Sequence, residues 1–144
     1  MKKVTWMKQP TRKLLAKCQQ VFNTYIRYRD ADDSGFANCI SCGKRIKLGT
    51  HDYQAGHFIP VSVSSLLRFE EGNVNAQCSQ CNKYKEGNTL NYEVGIKGKY
   101  GDSIVSALRD SKNGVYKWDK EELVDLIFYY KQATEEIKKA KELE

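Results

Sequence analysis

Apolar residues recur three and four positions apart in two long stretches near the ends of the chain, and in short, turn-bounded runs between them. From Thr11 to about Arg29, Leu14, Leu15, Cys18, Val21, Phe22, Tyr25 and Ile26 fall on one face, the spacing of an amphipathic helix. Thr11 reads as its N-cap, and Cys18, on the apolar face, as a buried, inert thiol. Lys13, Lys17, Arg27 and Arg29 give the helix a basic, solvated side. Near the C-terminus, Asp119 and Glu122 stand three residues apart as in a capping box. The helix they open carries Leu123, Leu126, Ile127, Tyr130, Ala133, Ile137 and Ala140 in alternating steps of three and four. Such a seam packs either on the chain's own core or on a second copy. Residues 1–10 read as a basic, loosely held arm.

Between the long helices the pattern shortens. Asp30 to Gly35 is turn chemistry without EF-hand spacing, a solvated loop. Phe36 to Ile40, Arg45 to Leu48 and Tyr53 to Phe58 read as short strands, with Pro60 closing the third and residues 61–72 forming a loop. Asn73 to Ala76 leads into Cys78, and Ser79 to about Lys85 reads as a short helix ended by Gly87. Residues 88–100 form a weak helix with two internal glycines, and Asp102 caps another from Ile104 to Arg109. The fold class is α+β, divided into a basic helical arm (1–35), a core (36–101) and C-terminal helices (102–144).

The 144 residues carry 24 Lys plus Arg against 18 Asp plus Glu, a net charge of +6, which suits a polyanionic partner. No apolar run reaches the length of a signal peptide or a membrane span, so the expected setting is a reducing cytoplasm with no membrane partner. In that setting five cysteines speak for metal or catalysis rather than disulfides.

Four of the cysteines form two Cys-x-x-Cys pairs, Cys39/Cys42 and Cys78/Cys81, a spacing that lets each pair reach one tetrahedral Zn²⁺. Such a site is coordinatively closed, so hydrolysis needs a second centre. The loop between the pairs carries His57, whose neutral imidazole can take a proton from water near neutral pH. Asn82, directly after the last cysteine, offers a hard neutral oxygen that suits Mg²⁺, and Asn73 can hydrogen-bond across the loop. Arg68 is a candidate phosphate clamp, with a surface salt bridge as the alternative. Lys44, Arg45, Lys47, Lys83 and Lys85 flank the cysteines and together set a salt-dependent affinity for nucleic acid. His51 reads as a solvated loop residue.

The order Cys-x-x-Cys, Gly-His, Asn, Cys-x-x-Cys-Asn resembles the HNH, or ββα-metal, endonuclease superfamily. More narrowly, AGHF, LRFEEGNVNAQCSQCN, and then GN with Tyr92 resemble the phage NinG/Rap recombination proteins. The resemblance covers roughly Cys39 to Gly101. It implies a zinc-stapled ββα-metal core with flanking helices and a nuclease that uses Mg²⁺, or Mn²⁺, to cut Holliday junctions and D-loops. It also implies 5′-phosphate and 3′-hydroxyl ends, a bacterial host cytoplasm, and phage or host recombination proteins as partners. On it His57 takes the general-base position, Asn82 the metal-ligand position, Asn73 the central asparagine position and the four cysteines the structural zinc. One departure stands out. Many HNH enzymes carry an Asp immediately before the base histidine, where this chain has Gly56. In nonspecific ββα-metal nucleases, Asp-Arg-Gly-His places an Asp where Gln54 stands here. Asp52, Glu70, Glu71 and Glu86 are the remaining carboxylates near the site, and weaker metal affinity is the expectation. Three rival readings stay open: a zinc-ribbon DNA-binding module without catalysis, an HNH nuclease acting on linear duplex, and an RNA-binding zinc protein.

Overall fold

The structure, a computed structural model, describes residues 2–85 and 87–144. Helix α1 (Lys3–Met7) precedes α2 (Thr11–Asp30), then come strands β1 (Phe36–Asn38), β2 (Arg45–Lys47), β3 (Tyr53–His57) and β4 (Val74–Cys78). Helices α3 (Thr89–Tyr100), α4 (Ser103–Asp110) and α5 (Lys120–Lys141) complete an α+β arrangement. The strands pair antiparallel as two hairpins, β1 with β2 and β3 with β4, the second in the register Tyr53↔Cys78 to His57↔Val74.

Both long helices form where the apolar spacing predicts, and they bury their faces against each other. Leu14, Cys18, Val21, Phe22 and Ile26 of α2 meet Leu123, Val124, Ile127 and Tyr130 of α5 in one cluster with Phe69 and Val74. The seam of α5 thus lies on α2 of its own chain, with the buried stripe running through Val124 and Thr134 rather than Ala133. The two helices run parallel: Phe22 meets Tyr130 edge to face, while Lys141 Nζ donates to the carbonyls of Tyr28 and Arg29, both at 3.0 Å, at the C-terminal end of α2. Parallel packing sets two helix C-termini side by side, and a cation among their last carbonyls offsets the partial negative charge gathered there. Asp119 and Glu122 complete the expected capping box at the start of α5.

Four expectations are corrected. Within the stretch read as a loose arm at 1–10, residues 2–10 are described and are not loose: α1 forms, and Trp6 and Met7 pack on the α2–α5 core. The N-cap of α2 is Pro10, without a side-chain cap, and Thr11 is already helical. Asp102 stands at the N-cap of α4, yet its side chain accepts no capping bond. Finally, Arg29 and Asp30 are not solvated. The Asp30 side chain is 8% exposed, pairs with Arg29 at 2.9 Å and Lys99 at 2.8 Å, and accepts the Ala76 N–H at 2.8 Å. Burial alone opposes ionisation of Asp30, but the Arg29 and Lys99 cations outweigh it and hold the carboxyl below its ordinary range.

The β3–β4 hairpin sits between helices. Ala55 and Val74 face the α2–α5 core, while on the opposite side Asn75 Nδ2 donates to the Tyr92 hydroxyl of α3 at 3.3 Å. Every residue of β4 is buried, polar Asn75 and Gln77 included. Asn75 Oδ1 accepts from Lys99 Nζ at 2.7 Å, the Tyr100 hydroxyl at 2.9 Å and Arg29 Nη2 at 3.1 Å. That network satisfies Asn75, which would otherwise be costly to bury, whereas Gln77 Oε1 has no hydrogen-bond partner among the described residues. Gly95 lets α3 lie against the first cysteine turn, because a Cβ there would overlap the Ile40 carbonyl, with its carbon at 3.0 Å.

Candidate metal centre and catalytic cleft

The two cysteine pairs enter from different elements. Cys39 and Cys42 lie in the turn between β1 and β2, where Gly43 at φ 78° takes the left-handed conformation the turn requires. Cys78 ends β4, and Cys81 sits in the wide, π-type helical turn Gln80–Tyr84 that follows. All four sulfurs lie within 4.8 Å of one another, with Cys42 and Cys78 Sγ 3.7 Å apart. A tetrahedral zinc with Zn–S of about 2.3 Å needs sulfurs about 3.8 Å apart. The donor set also matches, since Cys42 N donates to Cys39 Sγ and Cys81 N to Cys78 Sγ, each at 3.5 Å, while Asn88 Nδ2 donates to Cys81 Sγ at 3.4 Å. N–H groups aimed at sulfur stabilise thiolate, the form that binds metal. These cysteines therefore fit a structural zinc. Cys18, the fifth, is 1% exposed, and burial pushes its thiol up to about 12, which leaves it inert.

The hairpin and the wide turn bring His57 and Asn82 into the lining of one cleft of about 310 Å³, with Ala55, Pro60, Gly87 and Thr89. His57, the last residue of β3, places Nε2 3.1 Å from the Arg68 carbonyl oxygen. A carbonyl only accepts, so Nε2 carries the proton and Nδ1 keeps its lone pair. Burial lowers the pKa of His57 from 6.5, more than the bond to the Arg68 carbonyl raises it, so the ring is neutral near pH 7. The arrangement is a base with a fixed tautomer.

Asn82 is oriented by a relay that the sequence did not reveal. Gln54 Nε2 donates to the His51 carbonyl at 3.0 Å, which turns Gln54 Oε1 toward Asn82. Asn82 Nδ2 donates to that oxygen at 2.8 Å. The Asn82 carboxamide oxygen is thereby left as the free group, a neutral hard ligand. The carbonyl of His51 matters here; its side chain is exposed, as expected.

Gly56 is glycine for a steric reason. A Cβ there would overlap Gln77 Oε1 and lie 2.9 Å from Gln77 Cδ. Gln77 cannot swing away cheaply, because it is fully buried and donates to Ser41 Oγ at 2.9 Å and to the Gly87 carbonyl at 2.7 Å. No Asp fits immediately before His57. Two of the other carboxylates are already engaged. Asp52 accepts from Lys44 at 2.7 Å and from the Ser79 hydroxyl at 2.8 Å, and these two hold it down to about 2. Glu71 accepts from the Tyr25 and Tyr130 hydroxyls at 2.9 and 3.2 Å. Glu70 is exposed outside the cleft, and Glu86 lies outside the described residues. Among the described residues lining the cleft there is no carboxylate.

Asn73 is 0% exposed and turns inward. Its Oδ1 accepts from Ile59 N at 2.9 Å, and Nδ2 donates to the carbonyls of Ile59 and Leu67 at 3.0 and 3.1 Å. It shapes the loop of residues 61–72, whose turns at Leu66–Phe69 and Glu71–Asn73 present the Arg68 carbonyl to His57. Arg68 Nε donates to Gln19 Oε1 at 2.9 Å, and among the described residues the guanidinium has no carboxylate partner. Tyr92, fully buried, donates its hydroxyl to the Gly56 carbonyl at 2.6 Å and so pins the strand next to His57. Of the flanking cations, Lys44 pairs with Asp52, and Arg45 with Asp32 at 3.8 Å, whereas Lys47, Lys83 and Lys85 are exposed.

A family model described as NinG, the bacteriophage lambda NinG protein, matches residues 2–142. The chain is 31% identical over 136 residues to "Protein ninG" of Escherichia phage lambda, covering 94% of this chain and 59% of that protein. It is also 31% identical over 136 residues to "Protein ninG" of Escherichia phage 933W, over 94% and 60% of the two. To "Protein ninG" of Salmonella phage P22 it is 32% identical over 133 residues, over 92% and 58%. The chain thus spans about three fifths of the length of the curated relatives it matches. No solved structure matches it.

Proposed function

The chain belongs to the family of the bacteriophage lambda NinG protein, and from that premise we propose that it is a metal-dependent endonuclease that hydrolyses phosphodiesters in branched DNA. One observation carries the reading: a neutral imidazole with a free Nδ1 and a carboxamide with a free oxygen line one cleft, next to a four-sulfur cluster. The strand, strand, helical-turn order of β3, β4 and Gln80–Tyr84 supports the likeness to ββα-metal nucleases.

His57 Nδ1 takes a proton from water, and the resulting hydroxide attacks phosphorus in line. The P–O3′ bond breaks and the departing O3′ takes a proton from solvent while His57 returns its own to solvent, leaving a 5′-phosphate and a 3′-hydroxyl. The Asn82 oxygen would hold a divalent cation, Mg²⁺ or Mn²⁺, which when bound would neutralise charge on the phosphate and on the departing oxygen. Arg68 adds positive charge from the loop that holds His57, and Lys47, Lys83 and Lys85 attract the backbone. The structural zinc takes no part in the chemistry; it fixes Asn82 relative to the hairpin.

The test is cleavage of a four-way junction and of a linear duplex of equal length, with and without Mg²⁺, alongside binding of both. Wild type is expected to cut the junction in preference and only with metal. His57→Ala is expected to lose ~10²–10⁴-fold in rate, the usual contribution of a general base, with junction binding retained. Wild type that binds but never nicks any DNA would identify a binding module instead, and equal cutting of linear duplex would remove the branched-DNA assignment.

A further inference from the structure

The turn that carries Asn82 continues outward into Lys83, Tyr84 and Lys85, all three exposed. Tyr84 leaves 80% of its surface in water. Among the described residues, no ring packs against Tyr84 and its hydroxyl makes no hydrogen bond, and Lys83 and Lys85 form no ion pair. The backbone of the turn is nonetheless held in place. Lys85 N donates to the Gln80 carbonyl at 3.0 Å, Asn88 N to the Lys85 carbonyl at 2.8 Å, and the Asn88 amide returns to Cys81 Sγ. An exposed aromatic ring with an exposed lysine before and after it in the sequence, on a sulfur-anchored turn two residues from Asn82, matches one kind of partner. That partner has a free π-face flanked by phosphates: an unpaired nucleotide.

We propose that Tyr84, with Lys83 and Lys85, is a stacking platform for an unpaired base at a DNA branch point, placed to select branched substrates for the neighbouring cleft. The inference rests on the endonuclease reading for its purpose, but not for its test. Bases inside a duplex already stack on their neighbours and offer no free face, so the ring discriminates between branched and fully paired DNA. Stacking on an aromatic side chain tolerates any base, so the selection is by structure rather than sequence. The lysines supply a salt-dependent term that does not discriminate.

The experiment measures binding of the zinc-loaded full chain, without Mg²⁺, to a three-way junction carrying unpaired nucleotides at its branch point, to a single-stranded oligonucleotide and to a linear duplex of matching length. Tyr84→Ala is expected to bind the junction and the single strand about tenfold more weakly, with duplex binding unchanged. Tyr84→Phe, which keeps the ring, is expected to bind as wild type does. The Lys83→Ala/Lys85→Ala double variant is expected to weaken all three and to reduce the salt slope by about 1.5. Because Tyr84 is exposed, an unchanged zinc content and melting curve are expected and are checked first. Equal binding by Tyr84→Ala and wild type, or an equal loss on all three probes, overturns the platform. So does a wild-type dimer that Tyr84→Ala converts to a monomer in sedimentation, since the ring would then be an interface between copies. If wild type cuts junctions while Tyr84→Ala binds and cuts unchanged, the platform fails and the nuclease stands. If Tyr84→Ala loses junction binding while wild type never cuts, the nuclease fails and the platform stands.

Discussion

The absence of a carboxylate before His57 has a cause that can be tested by one methyl group. In Gly56→Ala the new Cβ overlaps Gln77 Oε1 and presses on Gln77 Cδ at 2.9 Å. Gly56 is not in the left-handed region, so alanine suits the backbone, and the whole penalty is steric. Overpacking a close-packed site costs ~1–3 kcal/mol. If Gln77 turns aside instead, it abandons the bonds to Ser41 and Gly87 in a fully buried setting, at about 1–3 kcal/mol for stranded polar groups. Either route gives an expected loss of about 1–3 kcal/mol. At about 3 °C per kcal/mol for a chain of this size, the melting temperature falls by about 3–9 °C. Urea unfolding in excess zinc reads the loss as a lower midpoint at constant slope. The decisive comparison is with Gln77→Ala. If the clash is the cause, the double variant Gly56→Ala/Gln77→Ala is less destabilised than the sum of the single variants by about 1–3 kcal/mol. Additivity within ~0.5 kcal/mol would refute the steric account. The same clash bars Asp at this position, so among the described residues lining the cleft the proposed cation ligand is a carboxamide oxygen and not a carboxylate.

Three further outcomes are expected. Removal of zinc by a chelator should melt the hairpins and the wide turn, since structural zinc sites hold ~10–16 kcal/mol of apparent binding energy against a typical domain stability of ~5–15 kcal/mol; a metal count of one zinc per chain, or none with the fold unchanged, decides it. Gln54→Leu should free the Asn82 carboxamide and raise the Mg²⁺ concentration for half-maximal cutting by about 10–100-fold, with little change at saturating metal; an unmoved metal requirement would show that the relay through His51 and Gln54 does not orient Asn82. The His57 shift sets a pH signature, because burial lowers its folded-state pKa below 6.5. Between that lowered value and 6.5 the unfolded chain binds more protons than the folded one, so this stability is full above 6.5 and is lost as pH falls toward the folded value. The stability gap between wild type and His57→Ala, measured by urea midpoint from about pH 5 to about pH 7.5, should narrow on acidification, and the cutting rate should hold to slightly below 6.5 before falling.

The long helices were legible because their signal is local. Leu14 to Ile26 and Leu123 to Tyr130 repeat at helical spacing, and Asp119 with Glu122 marks a start by side-chain chemistry three residues apart. The cysteines were legible for the same reason, because two residues between sulfurs is a constraint written into the chain itself. Asp30 was misread because turn composition says nothing about what a turn touches; its partners Lys99 and Ala76 lie far along the sequence. Strand β4, Val-Asn-Ala-Gln-Cys, alternates as a half-exposed strand does, yet α3 covers its polar face and leaves no solvent side.

The amino-acid order alone determined the helices, the sulfur ligands and the pairing of one histidine with one asparagine as the reactive candidates, since each depends on residue type and short spacing. Only the folded chain decided which imidazole nitrogen is free, which end of the Asn82 amide is available, and why no acid can precede His57. Those properties depend on the Arg68 carbonyl, on Gln54 held by His51, and on Gln77 lying over Gly56. They are contacts between residues that the register of β3 on β4 and the closure of the turns bring together, and hydrogen-bond direction and steric exclusion exist only once those atoms are a few ångströms apart.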